Sequence, residues 1–338
     1  MKIGIPRALL CSIYLPLWRT FLEILGHSVI LSAHTDKKIL DNGVKNCVDD
    51  ACLPVKIFHG HVMDLVDKAD VIMIPRLISI SPGEYICPKF IGLPEMIKHS
   101  VPGKPKLLIL DYNARSGMDK AYSGMRALGR ELGASEKRIT RALDEARLCQ
   151  DEHEKKMENE HGFNPFYALE GRNQSAVNCK KGTIGLIGHP YLVYDEFINM
   201  NICDKLAAKG YGILFPENIP LACIEHTCKR YPKKMFWSYG KRLLGGGLYM
   251  LENKLVNGLI LLTSFGCGID AFVDELLIRA NLREYKLPLT TITLDEHTGQ
   301  AGFNTRLEAF IDMMEWRRRY DSNLSPHGIS IYTGKSAF

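Results

Sequence analysis

Apolar runs and glycine or proline stops divide the chain into short strands and amphipathic helices. Residues 2–6 form the first apolar run, and Leu17, Phe21, Leu22 and Leu25 then recur at helical spacing. This predicts a helix over 15–25, with Gly26 as the glycine that follows a helix C-terminus. The next apolar run, Ser28–Leu31, completes a β-α-β unit. Strands are also predicted over 71–75 and 107–110, a helix over 55–67, and irregular chain over 79–94. The same order then begins again. A strand over 183–188 leads to a turn with Pro190, a helix over 195–209, a stop at Gly210 and a strand over 213–215. Later strands are expected over 258–263 and Leu289–Leu294, each followed by a polar, glycine-bearing loop and a helix. In parallel α/β sheets such loops lie at the carboxyl edge, where ligands bind.

Between these two patterns the character changes. Residues 121–160 are charged and lack proline, with a thin apolar periodicity at Leu128, Leu132, Ile139, Leu143 and Leu148. That predicts two or three exposed helices bridging the halves. The expected organisation is an N-terminal α/β domain over 1–115, a helical linker over 116–180 and a second α/β domain over 181–338.

Composition supports this division. A chain of 338 residues with 46% hydrophobic content suffices for two cores, since single cores stop growing at about 250–300 residues. The net charge of +5 is mild and spread among acidic residues, so nucleic-acid binding has no support. The first residues lack the regions of a signal peptide. The longest apolar runs, such as 259–262, fall far short of the ~20 residues of a membrane span. A cytoplasmic protein that binds no membrane is expected. In that compartment ten cysteines do not make a disulfide framework.

Three cysteines stand in comparable places. Cys52 precedes Leu53-Pro54, Cys87 precedes Pro88, and Cys267 lies between Gly266 and Gly268. Each reads as a loop or helix start, where free N–H groups favour a thiolate. Thiolates are the ligands of iron–sulfur clusters. Glycines at 266 and 268, with Ser264 before them, let backbone approach and donate to such a group. The spacing lacks any C-x-x-C pair, so buried structural cysteines are the alternative on spacing alone. His189, in Gly188-His189-Pro190-Tyr191, either faces a ligand or completes a tight turn. Glu296 and His297 follow a strand and are candidates for acid–base work, with helix capping by Asp295 or Thr298 as the alternative. Cys223 and Cys228 form an isolated C-x4-C pair, and His59-Gly60-His61 puts its two imidazoles on different sides of a helix. Gly245-Gly246-Gly247 lacks a P-loop ending, and no G-x-G-x-x-G is present.

Six blocks in order carry a resemblance. They are residues 2–9, 51–56 with His59-Gly60-His61, 83–90, 188–191, 264–268 and 294–299. Together they resemble a family related to the 2-hydroxyacyl-CoA dehydratases and their activases, including the D-component of 2-hydroxyglutaryl-CoA dehydratase. The resemblance implies two flavodoxin-like α/β domains facing across a cleft. It also implies a [4Fe–4S] cluster held by Cys52, Cys87 and Cys267, with Ser264, Gly266 and Gly268 beside it. His189, Glu296 and His297 are the candidates for proton handling. The implied partners are an ATP-dependent activase or another electron donor, and an acyl-CoA or small-molecule substrate. Homodimer and heterodimer are both open. The dehydratase subunits carry a different arrangement of N-terminal cysteines, which leaves catalyst and electron carrier as alternatives. A double-cubane reductase is a further alternative, needing extra ligands from Cys11, Cys47, Cys223 or Cys228.

Overall fold

The apolar runs become strands of two parallel sheets. A computed structural model describes residues 1–169, 171, 180–231 and 233–320. Cys179 and the last part of the expected second domain lie outside the described residues.

The first half contains β1 (Lys2–Ile5), α1 (Cys11–Ile24), β2 (Ser28–Leu31), α2 (Lys37–Lys45), α3 (Leu53–Leu65), β3 (Val71–Ser79), α4 (Pro88–Ser100) and β4 (Leu107–Asn113). Its strands are ordered β2-β1-β3-β4, and every pairing is parallel. The middle contributes α5 (Met118–Glu131), α6 (Glu136–Asn159) and α7 (Pro165–Leu169). The second half contains β5 (Thr183–Ile187), α8 (Pro190–Val193), α9 (Ile202–Ala208), β6 (Gly212–Leu214), α10 (Leu221–Cys228), α11 (Ser238–Glu252), β7 (Gly258–Ser264), α12 (Gly268–Ala280), β8 (Leu289–Leu294) and α13 (Gln300–Tyr320). Its order, β6-β5-β7-β8, repeats the first and is also parallel throughout. This is the flavodoxin-like wind, in which the strand order reverses once. The expected α/β architecture with intervening helices is therefore present.

Strand β7 is buried at every position, as a parallel strand covered by helices on both faces must be. Its Leu259 and Leu261 pack with α11 and α12, while Ile260 and Leu262 join a core that continues into the first half. Helix α6 explains its sparse apolar pattern. It buries one stripe, Ile139, Ala142, Leu143 and Ala146, and then polar groups that tie the halves together. Gln150 Nε2 donates to Ile13 O (3.0 Å) and His153 Nε2 to Ser12 O (3.0 Å). From the other half, Asn218 Nδ2 donates to Met157 O (2.7 Å).

Three local expectations differ from the structure. The helix expected over 195–209 is reduced to α9, because Met200 and Asn201 adopt positive φ (54° and 58°) and interrupt it. Asp195 instead caps a turn, its Oδ1 accepting from the N–H groups of Phe197 (3.1 Å) and Ile198 (3.0 Å). The stretch 79–94 is irregular only as far as Cys87. Pro88 starts α4, where proline's missing N–H costs nothing, and Pro94 sits within the helix. Helix α2 was not anticipated. Asp36 caps it by accepting from Ile39 N (2.8 Å). Its Gly43 and the Gly60 of α3 let the two helices touch backbone to backbone, since a Cβ on either would lie 1.9 Å from a carbonyl oxygen opposite.

Candidate functional site

Each sheet reverses its strand order at one place, between β1 and β3 and between β5 and β7. Ligands of open α/β sheets bind outside the carboxyl ends of the strands at such a place. The loop after β5 carries His189, and the loop after β7 carries Gly266 and Cys267. The loop after β3 runs to Cys87, and Cys52 starts the helix that leads into β3.

All three cysteines occupy the same position on a helix. Cys52, Cys87 and Cys267 are the N-cap residues of α3, α4 and α12, with extended or nearly extended backbone. A proline follows in the first turn of α3 and α4. At Cys267, Gly266 turns the chain with φ +75°, and a Cβ there would stand 3.9 Å from the Cα of Cys52. The two halves thus meet at the cysteine loops. Cys267 Sγ accepts from Asp270 N (3.5 Å).

The thiols gather around Tyr191, which follows His189 by two residues. Burial raises the Tyr191 hydroxyl well above its ordinary range, and the charges of Cys267, Asp270, Cys52 and Cys87 push it further. Burial likewise raises the thiols of Cys87 and Cys267, and Cys52 opposes the ionisation of both. Asp270 adds to that opposition. Lys89 works the other way on Cys87, through its backbone N–H and its charge. Positive charge placed beside Cys87 and Cys267 would favour their thiolates.

His189 and Asp270 form the second part of the site. His189 is 4% exposed, and its Nδ1 lies 2.6 Å from Asp270 Oδ1. Asp270 Oδ2 accepts from Ser264 N (3.1 Å), closing the β7–α12 loop. The imidazole stacks on Tyr191 (4.9 Å, 16°) and leans on Tyr239 (5.8 Å). Phe90 meets Tyr191 from α4 (6.5 Å). Behind Cys87 these rings leave a cavity with room for about one water molecule. The open side of the cysteine loops is at Gly268, where an added Cβ would meet nothing within 4 Å. Phe265 beside it is 69% exposed.

Asp270 was not singled out in the sequence. Its signal was an acidic residue three positions after Cys267, the spacing of a capping box. Ser264 hydroxyl donates to Phe265 O (3.3 Å). The structure thus brings Cys52, Cys87, Cys267, His189, Ser264, Gly266 and Gly268 to one region. It places Glu296 and His297 in the adjoining loop after β8. Glu296 accepts from the buried Lys56 of α3; burial raises its carboxyl, and this bond together with its own backbone N–H and the Lys56 charge holds it below the usual range. His297 is exposed, and Asp295 Oδ1 accepts from its N–H (3.0 Å) and from Thr298 Oγ1 (2.6 Å).

The remaining motifs have other partners. His59 Nδ1 donates to Val55 O (2.8 Å), and the ring of His61 is held between Ser32 Oγ (2.9 Å) and Thr35 Oγ1 (3.0 Å). Cys228 Sγ donates to Lys241 O (3.6 Å), and Cys223 packs against the core of the second half. Gly245-Gly246-Gly247 is buried inside α11. Burial pushes the Cys11 thiol up to about 12. Among the described residues no three His, Cys, Asp or Glu side chains are arranged to hold a metal ion, and no helix is long and apolar enough to cross a membrane.

The fold and the facing loops define a two-sheet α/β protein with its candidate site where the two reversals of strand order meet. Residues 2–219 match the family model described as CoA enzyme activase uncharacterised domain. The chain belongs to that family, which relates it to the activases of acyl-CoA dehydratases. The match includes Cys52, Cys87 and His189 and ends before Cys267. It does not extend to the dehydratase D-component in particular. No curated protein matches the chain.

Proposed function

We propose that Cys52, Cys87 and Cys267 hold a [4Fe–4S] cluster between the two sheets, and that the chain passes low-potential electrons in an acyl-CoA dehydratase system. The observation that carries this reading is the shared N-cap position of three cysteines, drawn from both halves and gathered around Tyr191. The donor set fits the group. A cubane separates its thiolate ligands more widely than a single ion does, and its irons would supply positive charge beside Cys87 and Cys267, whose thiols burial raises. When bound, such a cluster provides a one-electron site, and three thiolates leave one iron without a protein ligand.

The chain's own residues set the conditions. Asp270 N donates to Cys267 Sγ, and the free N–H groups and dipoles at the starts of α3, α4 and α12 would favour negative charge at the three cap positions. Asp270 fixes the β7–α12 loop through Ser264 N and holds His189 in place. Tyr191, Phe90 and Tyr239 close the inner side against water. An ATP-dependent activase, or another low-potential donor, is the partner such a carrier needs.

Electron paramagnetic resonance of the anaerobically purified, dithionite-reduced chain tests the proposal. The expected result is the spectrum of a single reduced cubane, lost in Cys267→Ser. A spectrum from two coupled cubanes points to the fused cluster instead. A silent spectrum in protein that is fully reduced and folded contradicts both. Dehydration of an acyl-CoA on addition of reductant and activase would replace the carrier by a catalyst.

A further inference from the structure

Tyr191 stands among the three cysteines, and its hydroxyl makes no hydrogen bond among the described residues. The ring is fixed from several sides. It stacks on His189 (4.9 Å, 16°), whose Nδ1 lies 2.6 Å from Asp270 Oδ1, and Asp270 N donates to Cys267 Sγ (3.5 Å). Phe90, in the first turn of the helix that Cys87 caps, meets the ring from the other half (6.5 Å). Tyr191 and Cys87 line the same small cavity. Pro190 and Tyr191 open α8 directly after β5, so a short turn anchors the backbone that carries the ring. His189 and Tyr239 behind it are 4% and 7% exposed, while Tyr191 itself is partly exposed.

A largely buried hydroxyl needs an acceptor. The charges that Tyr191 feels most are those of Cys267, Asp270, Cys52 and Cys87. Asp270 is the one carboxylate of the four, and both its oxygens are engaged. Its Oδ1 lies against His189 Nδ1, and its Oδ2 accepts from Ser264 N (3.1 Å). The other three groups are sulfurs. A tyrosine keeps its proton up to a pH of about 10, so this hydroxyl is a donor.

We infer that the Tyr191 hydroxyl donates a hydrogen bond to a sulfur at the cysteine site and raises the reduction potential of the cluster held there. The inference rests on the cluster proposed above. A hydrogen bond to sulfur stabilises negative charge, and a reduced cluster carries one negative charge more than an oxidised one. The bond is therefore stronger once the electron has arrived.

A redox titration of the reconstituted full chain with dithionite, followed by electron paramagnetic resonance, tests it. The unaltered chain is compared with Tyr191→Phe and with a chain carrying 3-fluorotyrosine at position 191. Tyr191→Phe keeps the ring and removes the donor. Its midpoint is expected to fall by a tenfold change in the reduction equilibrium, about 59 mV for one electron. Fluorotyrosine keeps the hydroxyl and makes it a stronger donor, so its midpoint is expected to rise. A ring that only fills space gives no such opposite shifts. If Tyr191→Phe fails to hold a cluster, the fluorinated chain decides alone. A midpoint that stays the same or moves in the opposite direction overturns the inference and leaves the cluster standing. So does a tyrosinate-to-iron absorption band, which would make Tyr191 a ligand. A chain without iron after reconstitution overturns both proposals.

Discussion

Asp270 does two things from one buried position. It accepts from Ser264 N and holds His189 Nδ1, so the β7–α12 loop and the β5–α8 turn share one carboxylate. Asp270→Asn keeps the shape and removes the charge. It is expected to destabilise the fold by about 1–3 kcal/mol, measured by urea unfolding, and an unchanged midpoint would contradict the role. His61 gives a second prediction at this scale. Thr35 hydroxyl donates to Asp195, so Thr35 accepts from His61 Nε2–H, and Ser32 hydroxyl donates to Nδ1. The ring is therefore neutral, and burial lowers its pKa to about 3. The unfolded chain protonates the same ring below about 6.5. The folded state refuses that proton, so this stability is complete above pH 6.5 and is lost as pH falls toward 3. Thermal unfolding across that range should show the loss, and His61→Gln should flatten it. An equal slope in the variant would count against this account. The three cysteines were legible because proline or glycine beside each marks a helix start. Asp270 was not, since one aspartate three residues on reads as an ordinary cap until His189 is seen against it.

At the scale of elements, the α2–α3 crossing is the tightest contact near the site, and it sets where α3 begins with Cys52. Gly43 faces Lys56 O and Gly60 faces Ile39 O with no room for a methyl group. Gly60→Ala must push the helices apart. Overpacking of this kind costs about 1–3 kcal/mol, and urea unfolding should show it. A variant as stable as the parent would mean that the crossing is loose. The strands were legible from their apolar runs, because both faces of parallel strands are buried. Helix α2 was missed because its apolar stripe is short, Ile39, Leu40 and Val44, with Gly43 where a larger apolar residue would extend it. The helix over 195–209 was over-extended, because apolar spacing at Phe197, Ile198 and Ile202 carries no trace of the positive φ at Met200 and Asn201.

At the scale of the molecule, the two α/β halves are joined by polar pairs as well as by shared core. Lys56 meets Glu296, Thr35 meets Asp195, and Lys241 meets Glu84, each across the halves. Tyr85 and Trp237 add a parallel backbone bridge, with Tyr85 N donating to Phe236 O (2.8 Å) and Ser238 N to Tyr85 O (2.9 Å). Removing one partner of a buried pair leaves the other charge uncompensated, at about 3–5 kcal/mol. Lys241→Met is expected to cost that much in urea unfolding, and adding Glu84→Leu to restore most of it. No loss in the single variant would show that the pair does not clamp the halves. The duplicated wind was legible in the repeated order of strand, turn, helix and glycine. The contacts between the halves were not, because no local pattern announces a partner 157 or 240 residues away. They bring the Cys267 loop against the start of α3 at Cys52.

That meeting of cysteines is the central claim, and iron and acid-labile sulfide per anaerobically purified chain test it most directly. The account predicts about four of each per chain, with both lost when Cys52, Cys87 and Cys267 are changed together to serine. No iron in the unaltered chain after cluster reconstitution, or full iron retained in the triple variant, would contradict it.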